Sequence, residues 1–255
     1  MHCFCLGRRE RARFAVGHMS LGYILGKASA RALKTNPNVP LLLALSIFPD
    51  VDILSEHVTI LHDILPHRGP IHSVFLMLIF FIPIFAVYRK RALPYFIALV
   101  SHPLIGDYLT GGNLQLFWPL TSQTFGTATS IMSPQNIALE LMLFFSAFAL
   151  LFVSRDLHAL FRPRLSNLLL AIPTFTVLLP VFLSYPLQVP ALLVLPHLIY
   201  TVVFLAAIAI STVGMLKQLG NKSQRSITEE KTGPPKQAAG VGCREQGIGL
   251  KVDCL

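Results

Sequence analysis

Charge is scarce in this chain: Asp, Glu, Lys and Arg make up 13% of its 255 residues, against roughly 25% in a soluble domain. With 53% hydrophobic residues and a mean hydropathy of +0.62, the composition argues against a water-soluble globule and against disorder over the whole length. Cysteine is scarce as well. Cys3, Cys5, Cys243 and Cys254 all lie in the terminal flanks, so neither a disulfide framework nor a thiolate zinc site holds the middle of the protein. Any metal there needs His and carboxylate ligands. No long internal repeat is visible. Cys254 is penultimate rather than fourth from the end, which excludes a prenylation signal. Nor is a cleavable signal peptide expected, because the basic start Arg8 to Arg13 runs into a segment without a compact apolar stretch and small-residue cleavage site.

What the chain does have is a succession of apolar runs. About 20 helical residues cross a hydrocarbon layer of roughly 30 Å, and seven segments approach or reach that length. The clearest are Ile71 to Tyr88, Ala92 to Leu109, Ile137 to Val153, Leu168 to Tyr185 and Ala191 to Leu216. Two weaker ones precede them, Val16 to Lys34 and Val39 to Leu54. The fold expected is all-α: a polytopic membrane helical bundle of about five to seven transmembrane helices. Gly22, Gly26 and Ala30 recur at four-residue spacing on the first segment, either as a packing stripe for another helix or as glycines that loosen a surface helix. From Lys217 the composition turns to Lys, Glu, Gln, Gly and Pro, and a disordered tail over 217–255 is expected. The remaining boundaries are 1–15 for an extension, 16–120 for the part bearing polar motifs, and 121–216 for further transmembrane helices.

The net charge of +9 sits in short clusters between apolar runs rather than along one face, so nucleic acid is not an expected partner and the bilayer is. Cytoplasmic loops retain Lys and Arg. Counting alternate connections puts sixteen basic residues on one side and, leaving out the extreme N-terminus, Arg68 alone on the other. The tail is therefore expected inside and the Gly106 to Asn136 connection, which has no Lys or Arg, outside. Residues 1–15, with Arg8, Arg9, Arg11 and Arg13, would then stand outside against this rule, which suggests that translation begins at Val16.

Three polar clusters interrupt the apolar background: Phe48-Pro49-Asp50-Val51-Asp52, His67-Arg68-Gly69-Pro70-Ile71-His72-Ser73, and Ser101-His102-Pro103-Leu104-Ile105-Gly106-Asp107. Acidic groups at the ends of apolar helices need water, a partner or a metal. The alternation of helices brings all three clusters, together with His18, to one face. The expected ligands are His18, Asp50, Asp52, His67, His72, His102 and Asp107, a hard donor set that suits Zn, Mn or Fe. Asp52 or Asp107 is the expected general base. His102 and Asp107 are five residues apart, which a regular helix would separate by about 140°. A kink or a π-bulge at Pro103 would bring them back to one side. Arg68 either meets a substrate phosphate or carboxylate or pairs with Asp50 or Asp52. Trp118, the single tryptophan, serves as an interfacial anchor or a substrate platform. Glu140 faces the site or snorkels to the outer surface. His57, His62 and Asp63 read as a connecting loop, and His158 and His197 as structural.

In order, Gly17-His18, Pro49-Asp50-Val51-Asp52, the HRGPIHS element, Ser101-His102 with Asp107, and Leu116-Phe117-Trp118-Pro119 resemble the YdjM-like family of membrane-bound metal-dependent hydrolases, also described as LexA-binding inner-membrane proteins. The resemblance covers about residues 17 to 120. It implies a multi-pass helical protein whose His and Asp residues bind a divalent metal, and a hydrolase activity. Location adds the expectation of a lipid-linked or membrane-proximal substrate. Two other functions remain in view: ion or solute transport, since intramembrane His and Asp also mark cation pathways, and a non-catalytic scaffold that binds a regulator protein.

Overall fold

The computed structural model describes residues 14–57, 68–109, 113–127, 129–182 and 189–232. All regular structure among them is helical, apart from one isolated antiparallel bridge between Leu114 and Phe125. Helix α1 spans Ala15–Ala32. It closes with Lys34 in the left-handed region, φ 51°, while Thr35 N–H and Lys34 N–H return to the carbonyls of Ala30 and Arg31. This is a Schellman ending with lysine in the place that glycine favours.

Helix α2, Val39–Ile47, starts at Asn38, whose side chain accepts the Leu41 N–H at 3.2 Å, and has a proline in its first turn. It ends earlier than the apolar run suggests. Phe48 keeps right-handed helical dihedrals, but Pro49 has no N–H to return to the Leu45 carbonyl, and the chain tightens into a 3-10 helix over Phe48–His57. Helix α3, Val74–Tyr88, likewise begins later than Ile71. Pro70–His72 form a separate 3-10 turn, and Ser73 caps α3 by accepting the N–H groups of Phe75 and Leu76. Helix α4, Leu93–Ser101, runs into a π-helical segment, His102–Asp107. Then come α5, Pro134–Val153, α6, Asp156–Leu160, a 3-10 turn over Leu165–Leu170, α7, Ala171–Phe182, and α8, Ala191–Thr232.

Helix α8 runs past Lys217, where the composition changes, and helical backbone continues to Thr232. Extending a formed helix fixes one residue per new hydrogen bond and avoids the cost of nucleation, and Lys217 to Thr232 contains no proline. Two compact units result, Met1–Leu216 and Lys217–Leu255. Residues 16–120 and 121–216 thus share one unit, and the boundary at 15 falls inside its core: Phe14, Ala15 and Val16 are all buried.

Within the first unit α1 is central, packing against α2, α4 and α5. The small-residue stripe is a contact surface. A Cβ on Gly22 would stand 2.2 Å from Ser46 Cβ, and one on Gly26 would stand 2.6 Å from Leu42 Cδ1, so α2 lies against α1 where side chains are missing. Among the described residues, two helices, Pro134–Val153 and Ala191–Asn221, are long and apolar enough to cross a membrane. The others are shorter or less uniformly apolar, and α3 is the most exposed of them, with Ile79, Ile82 and Val87 at 58%, 63% and 75%.

Candidate metal centre

Four backbone segments converge just below the start of α1. The α1 helix brings His18, the 3-10 helix after α2 brings Asp50 and Asp52, the turn before α3 brings His72, and the π segment brings His102 and Asp107. All six side chains are buried, His72 and His102 completely. The π segment settles the register problem posed by the five-residue spacing. Its wider turn relates residues i and i+5, and His102 Nε2 lies 3.3 Å from Asp107 Oδ2.

The imidazoles present their Nε2 edges to shared carboxylates. His102 Nε2 is 3.1 Å from Asp50 Oδ1, and His72 Nε2 is 3.6 Å from that atom and 3.2 Å from Asp107 Oδ2. His18 Nε2 approaches the other oxygen, Asp107 Oδ1, at 3.6 Å, with its ring 4.5 Å from that of His102. Two ligand sets emerge among the described residues, His18 with His102 and Asp107, and Asp50 with His72 and His102, each with donor atoms within 4.8 Å of one another. His102 belongs to both.

Behind these edges the rings are held. His102 Nδ1 lies 3.0 Å from the Ser46 carbonyl, which can only accept, so Nδ1 donates there and the Nε2 edge is turned toward the carboxylates. His72 Nδ1 lies 3.2 Å from Asp52 Oδ2, the same oxygen that accepts the Arg68 N–H at 3.2 Å. Asp52 therefore meets the rear edge of His72, away from the Nε2 cluster, and belongs to neither ligand set. A carboxylate behind a ligand histidine fixes its ring and raises its basicity.

Neighbouring residues define the surroundings. Ser73 Oγ donates to the Trp118 carbonyl at 2.5 Å, Val74 N–H donates to the Leu116 carbonyl, and Gln115 N–H to the Arg68 carbonyl. The Leu116–Pro119 motif thus pins the segment that carries His72, acting through backbone. The Trp118 side chain itself is 37% exposed. Arg68 is buried, with φ 64°. Glu140 faces inward: it is buried and accepts the Gly17 N–H at 2.6 Å, lining with His18 a small cavity of about 100 Å³ between α1, the π segment and α5. Gly106 lets the π segment close on His18, since a Cβ there would stand 2.6 Å from the imidazole. His67 lies outside the described residues, as do His62 and Asp63. His197 is buried against Phe14 and donates from Nδ1 to the Leu193 carbonyl at 2.7 Å.

Three carboxylates share this small volume with three imidazoles. The arrangement of carboxylate oxygens around three forward-facing Nε2 atoms could hold a metal ion through nitrogen and oxygen donors. The family model described as YdjM inner membrane protein matches residues 14–220, a span that includes every part of the centre. No curated protein and no solved structure matches the chain.

Proposed function

The chain belongs to the YdjM inner membrane protein family, and from that premise we propose that it is a multi-pass membrane hydrolase whose centre holds one or two divalent ions. The observation that carries this reading is the division of labour around the histidines: Nε2 edges converge on Asp50 and Asp107, while Ser46 and Asp52 hold the Nδ1 edges from behind. A divalent ion supplies there a Lewis acid that makes water nucleophilic near neutral pH. Asp107 is the proposed general base. It stands between His18, His72 and His102, whereas Asp52, engaged by His72 and the Arg68 amide, is a positioning residue. Burial of all six side chains keeps bulk water away and strengthens their mutual electrostatics. Arg68 and Trp118, the latter at the exposed edge of the motif loop, are proposed to meet a lipid-linked or membrane-proximal substrate.

Reading the exposed apolar face of α3 as lipid-facing supports the multi-pass arrangement, and the distribution of Lys and Arg favours a cytoplasmic tail with the metal face outside. The functional test uses the purified protein in nanodiscs of inner-membrane lipid, with products followed by mass spectrometry. Hydrolysis should stop on chelation, return with Zn, Mn or Fe, and fall at least about 100-fold in Asp107→Asn, in the range that loss of a general base gives. Turnover unaffected by chelation would refute the metal mechanism.

The orientation is tested separately. Gln123 is exposed on the connection between the π segment and α5, whereas Thr127 donates to the Leu109 carbonyl and is a poorer labelling position. A single cysteine at Gln123, in a background without the native four, should react with an impermeant thiol reagent on intact cells. Reaction only after lysis would place the centre in the cytoplasm.

A further inference from the structure

At the far end of α1 from the metal centre, a cavity of about 540 Å³ opens between α1, the turn that follows it and the end of α5. Arg31 lies about 20 Å along the helix from His18 at a rise of about 1.5 Å per residue. Apolar side chains, Ile24 and Leu150 among them, line the cavity together with three cations, Lys27, Arg31 and Lys34. The cations are not equivalent. Lys27 Nζ is 2.6 Å from Asp156 Oδ2, which also accepts the Tyr23 hydroxyl at 2.8 Å, so its charge is already matched. Arg31 and Lys34 are exposed and have no anionic partner among the described residues.

A helix C-terminus attracts cations through its dipole, which accounts for a basic residue in the last turn such as Arg31. Lys34 follows at the left-handed position of the Schellman ending, close to the same negative helix end, and lines the cavity beside Arg31. The ammonium and the guanidinium, which can grip phosphate oxygens bidentately, stand together over apolar walls.

We propose that this cavity binds an anionic phospholipid, with Arg31 and Lys34 on the headgroup phosphate and Ile24 and Leu150 against its apolar base. Basic pockets between membrane helices recognise anionic headgroups in this way. Free phosphate shares the anionic chemistry but leaves the apolar walls unused, which is why the lipid is the proposed occupant. The site is independent of the metal centre and of its chemistry.

The test is retention of lipid by the full chain in a neutral detergent, measured by native mass spectrometry with phosphatidylglycerol, phosphatidylcholine or inorganic phosphate added. Phosphatidylglycerol should stay bound where phosphatidylcholine does not. Changing both Arg31→Gln and Lys34→Gln should lower its retention about tenfold or more, since each cation near an anionic lipid surface contributes roughly fivefold. The control neutralises Arg89, Lys90 and Arg91, a second basic cluster at the same end of the bundle: the Tyr88 and Tyr95 rings pack 4.7 Å apart, and the Tyr95 hydroxyl accepts the Asn38 N–H at 2.6 Å. None of the three lines the cavity, so their changes should leave retention nearly as in the wild type. Equal losses in both variants would show a general basic belt instead of a pocket, and displacement of the lipid by phosphate would show a soluble-anion site; either overturns the proposal. A wild-type thermal unfolding transition in the Arg31/Lys34 variant confirms that the protein has folded, and a variant that lost it is replaced by the single changes, read in the same way.

Discussion

His102→Ala is expected to lower divalent-ion affinity by more than about 100-fold, beyond the 10- to 100-fold typical of losing a supporting residue behind a ligand. His102 is the one histidine common to both ligand sets, and its Nε2 reaches Asp50 and Asp107 at 3.1 and 3.3 Å. Its removal leaves those carboxylates facing each other without the imidazole between them. The comparison variant is His197→Ala, equally buried but engaged with the Leu193 carbonyl on its own helix. Metal titration of both proteins checks this, and His197→Ala should keep wild-type affinity. Equal losses in the two would mean that any buried cavity impairs binding and that His102 has no special part.

Asp52→Ala is expected to weaken the ion about 10- to 100-fold without abolishing binding. The carboxylate touches His72 from behind, so its loss frees the ring to rotate and to place its proton on the wrong nitrogen. The same change leaves the buried Arg68 N–H without its acceptor at 3.2 Å, which costs about 1–3 kcal/mol of stability. Asp52→Asn should fall between, because an amide oxygen still accepts both N–H groups but carries no charge. Calorimetric metal titration beside thermal unfolding separates the two effects. Complete loss of binding in Asp52→Asn, with folding intact, would instead make Asp52 a direct ligand.

These two residues mark where the sequence is legible and where it is not. Polar clusters in so apolar a chain must be gathered somewhere, so Asp50, His72, His102 and Asp107 stand out from composition and helix alternation alone. The five-residue step from His102 to Asp107 across Pro103 also asks for a widened turn, and the π segment supplies it. The stripe at Gly22 and Gly26 left packing and looseness open, and its meaning appears only when Ser46 and Leu42 are seen against it. Asp50 and Asp52 look alike in sequence. They part company because the 3-10 helix aims one carboxylate at Nε2 atoms and the other at Nδ1 of His72, a distinction of backbone geometry that spacing does not encode. Glu140 and Gly17 are 123 residues apart, and only an acid one turn inside an apolar helix hinted at their pairing. The Ser46 carbonyl had no signal at all, since every residue has one. The extension of α8 to Thr232 was hidden by composition: the same Lys, Glu and Gln that disfavour burial are good helix formers.

The account's central claim is that the converging Nε2 atoms and carboxylates hold a divalent ion. Full-length protein, extracted in mild detergent without chelators, should contain at least about one equivalent of Zn, Mn or Fe by plasma mass spectrometry, and the His72→Ala/His102→Ala protein should contain almost none. Wild-type protein that carries no metal and takes up none on titration, or a double variant that keeps the full complement, would contradict it.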